Sequence, residues 1–171
     1  LIFITWVLGY LFLLPDEFRL LGKRISAGAA FVSNIILKRE ASYFDVSATF
    51  KPLLHLWSLG IEEQYYIFWP LTIFVLWKYK LNLTKSVLFL LLVSLAVNIF
   101  SVGHNPIAAF YLPQSRVWEL LIGSLLAVTT FQKASSKNAN AKSLLGLCLV
   151  IGSILVLNQE RSFPGAWALL P

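Results

Sequence analysis

The chain has 171 residues, of which 58% are hydrophobic and 13% charged, and its mean hydropathy is +0.75. These proportions exclude an ordinary soluble globular domain, in which about 25% of residues are charged, and leave room for roughly five or six helices of ~20 residues in one membrane domain. The net charge of +6 does not indicate a nucleic-acid binder, because Lys and Arg fall in short groups at the ends of apolar runs and not along one face.

The expected fold class is therefore all-α, a polytopic transmembrane helical bundle. The first apolar run, about 1–14, opens without a methionine or a basic leader, and no small-residue cleavage site precedes Pro15-Asp16-Glu17. A cleaved signal peptide is a poor reading of that start, and the chain is expected to be a fragment truncated at both ends. Further apolar runs at 57–77, 86–102, 113–131 and 143–158 are each long enough for a helix in hydrocarbon, and 163–171 reads as the start of another. The stretch Ile25–Leu37 is shorter and holds Ser26, Ser33 and Asn34, so an interfacial, re-entrant or short helix is expected there. Cys148 is the one cysteine, which excludes an intrachain disulfide.

Two loops carry lysine without acid, one with Lys78, Lys80 and Lys85 and the other with Lys133, Lys137 and Lys142. Two predicted spans separate them, so they share a side, and the positive-inside bias makes that side cytoplasmic. The loops at 103–112 and 159–165 then face out, in a multi-pass plasma (inner) membrane protein.

Two blocks interrupt this apolar pattern with chemistry. In Lys51-Pro52-Leu53-Leu54-His55-Leu56-Trp57-Ser58-Leu59-Gly60-Ile61-Glu62-Glu63-Gln64-Tyr65-Tyr66-Ile67-Phe68-Trp69-Pro70, adjacent carboxylates open a membrane-length run. On a helix beginning near Trp57, residues Ser58, Glu62, Tyr65 or Tyr66, and Trp69 form one stripe, with Glu63 about 100° round from Glu62. A carboxylate at an interface or cavity suits a general base, with Glu62 first and Glu63 second. The structural alternative is that Ser58 caps the helix and the glutamates complement its dipole. His55 either takes part as a base or acceptor ligand or closes the turn after Pro52.

The second block is Phe110-Tyr111-Leu112-Pro113-Gln114-Ser115-Arg116-Val117-Trp118-Glu119-Leu120-Leu121-Ile122-Gly123-Ser124-Leu125-Leu126-Ala127. Arg116 and Glu119 stand at i, i+3 and can pair; alternatively Arg116 reaches Glu62 or an anionic intermediate, with Glu119 orienting it. Gly123 and Ala127 suit close helix packing. No metal site is expected, since His104 has no second ligand at usable spacing.

Both blocks resemble the acyltransferase-3 family of integral membrane O-acyltransferases, and a weaker likeness runs from about Leu11 to the C-terminus. Asn34 and Tyr43-Phe44-Asp45 also fit that family's extracytoplasmic segment. The resemblance implies transfer of an acyl group, acetyl above all, from a cytoplasmic thioester (acyl-CoA or similar) to a hydroxyl of a cell-envelope glycan such as lipopolysaccharide or peptidoglycan. It implies catalytic roles for Glu62, Glu63 and Arg116, and substrate-binding or supporting roles for His55, Trp57, Ser58, Gln64, Tyr66, Trp118 and Glu119. The partners would be the glycan acceptor, the thioester donor, membrane lipid and missing N-terminal spans of the same protein that carry the family's histidine; no bound cofactor and no nucleic acid are expected. A basic cytoplasmic loop before residue 1, as in the family, would send the first helix outward and keep 15–56 outside. A transporter or flippase-like protein titrating intramembrane carboxylates is the alternative, although no internal repeat is visible.

Overall fold

The computed structural model describes residues 1–43, 52–131, 139–156 and 165–169. All regular structure among them is helical: α1 Ile2–Phe12, α2 Pro15–Ala29, α3 Ser33–Tyr43, α4 Leu56–Lys78, α5 Leu83–His104, α6 Pro106–Tyr111, α7 Val117–Phe131 and α8 Ala139–Val156, with 3₁₀ turns at Pro113–Ser115 and Ala166–Leu169. Phe44, Asp45, Lys51, Lys133, Lys137 and the loop residues 159–164 lie outside the described residues. The chain divides into two compact units, residues 1–71 with 111–113 and residues 72–110 with 114–171.

In the first unit, α1 turns into α2 at Leu13–Leu14. Pro15 occupies the first turn of α2, where its missing N–H removes no helical bond, and the Leu14 N–H donates to Glu17 Oε2 at 3.2 Å. Gly9 is buried at this corner, because a Cβ there would run into the Leu21 side chain. Leu21, Leu53 and Leu56 form a small core, with Ile2, Leu13, Phe18 and Ile25 packed on it.

The stretch Ile25–Leu37 is not one helix, for α2 ends at Ala29 and α3 begins at Ser33. Phe31 takes a left-handed backbone, φ +56°, and the Phe31 and Val32 N–H groups bond back to Gly28 O at 3.2 Å and Ala27 O at 2.9 Å. A non-glycine residue there is strained by about 1–2 kcal/mol. Arg24 then ties α2 to α3: its Nε and Nη2 donate to Glu40 Oε2 at 3.2 and 2.9 Å, with both side chains 15% exposed.

In the second unit, α5 packs on α7. Among the described residues α5 is the helix both long and apolar enough to cross a membrane by length and composition. Its buried residues Val87, Leu91, Ser94 and Asn98 recur at i, i+4, i+7 and i+11, one stripe. The polar half of that stripe holds the start of α7. Ser94 Oγ donates to Gln114 O at 2.7 Å and accepts from the Trp118 N–H at 3.1 Å; Asn98 Nδ2 donates to Ser115 O at 2.7 Å; Ser115 Oγ donates to Ala109 O at 2.9 Å. A helix start leaves its first N–H groups without intrahelical partners, and here a neighbouring helix supplies one.

Ser94→Ala removes both a donor and an acceptor from this buried junction. We expect a loss of about 1–3 kcal/mol, read as a melting temperature lower by several degrees in detergent. An unchanged midpoint would show that the junction does not hold α7.

Candidate functional site

The first block lies on α4 and the turn before it. Residues 52–55 form that turn, with Leu53 at φ +62°, and the Leu56 and Trp57 N–H groups donate to Leu53 O at 3.1 Å and Leu54 O at 3.2 Å. The helix thus starts at Leu56, and Ser58 is inside it; its hydroxyl donates to His55 O at 3.2 Å and does not occupy the cap position expected for it. Glu62 and Glu63 become the seventh and eighth helical residues, beyond the first turn to which the dipole effect is confined. Capping therefore does not account for them. Both are half-buried, and neither has a hydrogen-bond or ion-pair partner among the described residues.

The side of α4 away from Glu62 is tightly engaged. Gln64 Nε2 donates to Phe31 O at 2.7 Å and to Asn34 Oδ1 at 3.0 Å, while the fully buried Asn34 donates from Nδ2 to Tyr111 O at 3.1 Å. A Cβ on Gly60 would stand 3.2 Å from Phe31 O and 3.3 Å from Asn34 Oδ1, so only glycine lets the helix approach this closely without displacement. Trp57 places its ring edge-on to Tyr111, centroids 5.9 Å apart. Burial first, and then the Glu40 carboxylate, raise the Tyr111 phenol above its ordinary value, so it stays protonated as a neutral hydroxyl. His55 is exposed, and Tyr66 is 58% exposed with its ring against Tyr65.

The second block, apart from residues 111–113, lies in the other unit. Arg116 stands in the turn just before α7, and Nη1 lies 3.1 Å from Glu119 Oε1, an ion pair without the alignment of a hydrogen bond. The guanidinium also covers the Phe110 ring at 5.7 Å. A cation at a helix N-terminus opposes the dipole, and the Glu119 carboxylate in the first turn offsets it. Trp118 is 1% exposed, and its Nε1 has no hydrogen-bond partner among the described residues.

The carboxylates and the Arg–Glu pair were visible in the sequence as charges inside apolar runs. Phe31, the Arg24–Glu40 pair, Tyr111, Ser94 and Asn98 were passed over. Ser94 and Asn98, polar residues four apart in an apolar helix, carried a usable signal; the Phe31 carbonyl carried none, because backbone geometry creates its role.

The chain is 33% identical over 170 residues to an uncharacterised protein of Haemophilus influenzae, a match covering 91% of this chain and 69% of that protein. It is 31% identical over 138 residues to the putative peptidoglycan O-acetyltransferase YrhL of Bacillus subtilis, and 32% identical over 157 residues to the O-acetyltransferase OatA of Staphylococcus aureus. Those matches cover 72% and 88% of this chain, so wherever they begin they include the Lys51–Pro70 block. The chain belongs to the acyltransferase-3 family. It spans 22% and 26% of the two named O-acetyltransferases. No family model and no solved structure matches the chain. As a member of the acyltransferase-3 family, the chain places the paired glutamates of its first block on a helix anchored from behind.

Arg116→Met leaves the half-buried Glu119 carboxylate without its cation and is expected to lower stability by about 1–3 kcal/mol; adding Glu119→Leu should recover at least half of that loss. Thermal unfolding of the single and double variants checks this, and equal losses in both would contradict the pairing.

Proposed function

We propose that the chain acts in a polytopic inner-membrane O-acyltransferase that moves an acyl group, acetyl above all, from a cytoplasmic thioester such as acyl-CoA to a hydroxyl of a cell-envelope glycan. The observation that carries this reading is the pair Glu62 and Glu63, half-buried, unpaired among the described residues and too far along α4 to serve as caps. An ionisable group retained on a largely apolar helix needs a function to offset its cost. The names of YrhL and OatA support the direction of the chemistry, and peptidoglycan is the acceptor class that YrhL's name suggests. Large exposed apolar side chains, among them Phe12, Trp77 and Leu155 at 77–81%, support immersion of several helices in lipid.

In this proposal the Glu62 carboxylate takes the proton of the acceptor hydroxyl as its oxygen bonds to the acyl carbon. The bond from that carbon to its leaving atom then breaks: the thioester sulfur, or the group that has carried the acyl across the bilayer. The proton passes to that atom, and Glu62 is regenerated. Glu63 is the second candidate for the same role. Arg116, fixed by Glu119 on its own unit, keeps the role of a cation for an anionic oxygen.

Glu62→Gln in the full-length protein, expressed in a membrane host, should reduce base-labile acetate on purified envelope polysaccharide by about 100-fold or more, with membrane insertion unchanged. Wild-type acetate in that variant would remove Glu62 from the chemistry. Altered solute uptake with unchanged envelope acetate would instead favour a transporter.

A further inference from the structure

On α4, residues Leu56, Gly60 and Gln64 recur at i, i+4 and i+8 and so share one face. All three meet the end of α2 and the turn into α3. A Cβ on Gly28 would lie 2.8 Å from Leu56 Cδ1, one on Gly60 would lie 3.2 Å from Phe31 O, and the Gln64 amide donates to Phe31 O and Asn34 Oδ1. The acceptor from Phe31 is available because its left-handed backbone turns that carbonyl out of the helical series. Asn34, fully buried, is itself held by Tyr111 O.

At about 100° per residue, Glu62 stands roughly 160° from this face, and Glu63 roughly 100° from Gln64. A rotation of α4 by one residue would turn Glu62 into the direction that Glu63 now has, or Glu63 into that of Glu62. Non-polar packing alone specifies helix rotation weakly, whereas two directed hydrogen bonds beside a glycine contact allow one setting.

We propose that Gln64 and Asn34 are positioning residues, an amide clasp in which Gln64 bonds both the Phe31 carbonyl and the buried Asn34 side chain, fixing the rotation of α4 and thereby the direction of Glu62. The proposal rests on the reading that Glu62 is the base. Gln64→Leu removes both donors, and Gly60→Ala pushes the helix off the Phe31 carbonyl while leaving Gln64 in place.

The test uses full-length protein in proteoliposomes, with acetyl-CoA as donor and a soluble muropeptide as acceptor, rates being normalised to folded protein. Both variants should lower kcat by about 10- to 100-fold, the scale of an ångström-level misplacement, with the KM for acetyl-CoA within about twofold of wild type. A kcat at the wild-type level in both would overturn the clasp, as would losses explained entirely by less folded protein. Glu62→Gln is measured alongside. If it is inactive while the clasp variants are normal, the inference fails and the reading of Glu62 stands; if it is fully active, the reading fails and takes the inference with it.

Discussion

The Phe31 carbonyl is the atom on which the first unit depends. It leaves the helical series because Phe31 is strained, and it accepts from Gln64 across a contact that Gly60 keeps open. Strain of about 1–2 kcal/mol persists when surrounding contacts over-determine it, and here the Gly28, Ala27 and Gln64 bonds do so. The same contact gives α4 a fixed back, with Glu62 on the far side and Glu63 beside the anchored face, neither with a partner among the described residues. Arg24–Glu40 clamps the α2–α3 corner from its other end.

The second unit solves a related problem with different groups. Ser94 and Asn98 place hydroxyl and amide groups on an otherwise apolar α5, each bonded to the backbone around the start of α7. Leaving such backbone groups unpaired in a buried apolar junction would cost about 1–3 kcal/mol each, so polar side chains there are structural necessities. Asn98 Oδ1 and Trp118 Nε1 have no partner among the described residues, which makes this seam polar beyond what the observed bonds use.

Much of this was legible in the sequence. Apolar length located α4, α5, α7 and α8 to within a few residues, because membrane-type composition leaves little competing pattern. The paired glutamates stood out for the same reason. The α2–α3 corner was hidden: no Gly or Pro marks residues 29–33, Ala29 and Ala30 favour helix, and a phenylalanine takes the position that glycine would normally announce. Ser58 resembled a cap, but the turn at 52–55 closes on backbone carbonyls and starts the helix two residues earlier. Local signals failed where tertiary contacts dictate the backbone, and that place is also where the candidate site is anchored.

The central claim is that α4 presents Glu62 as the base for acyl transfer to a glycan hydroxyl. Its most direct test is a single-turnover experiment in proteoliposomes, following isotopically labelled acetyl from acetyl-CoA to a soluble muropeptide as a hydroxylamine-labile ester. The account predicts labelled product with wild type and none above the empty-liposome level with Glu62→Gln. Equal labelling by the two proteins would contradict it.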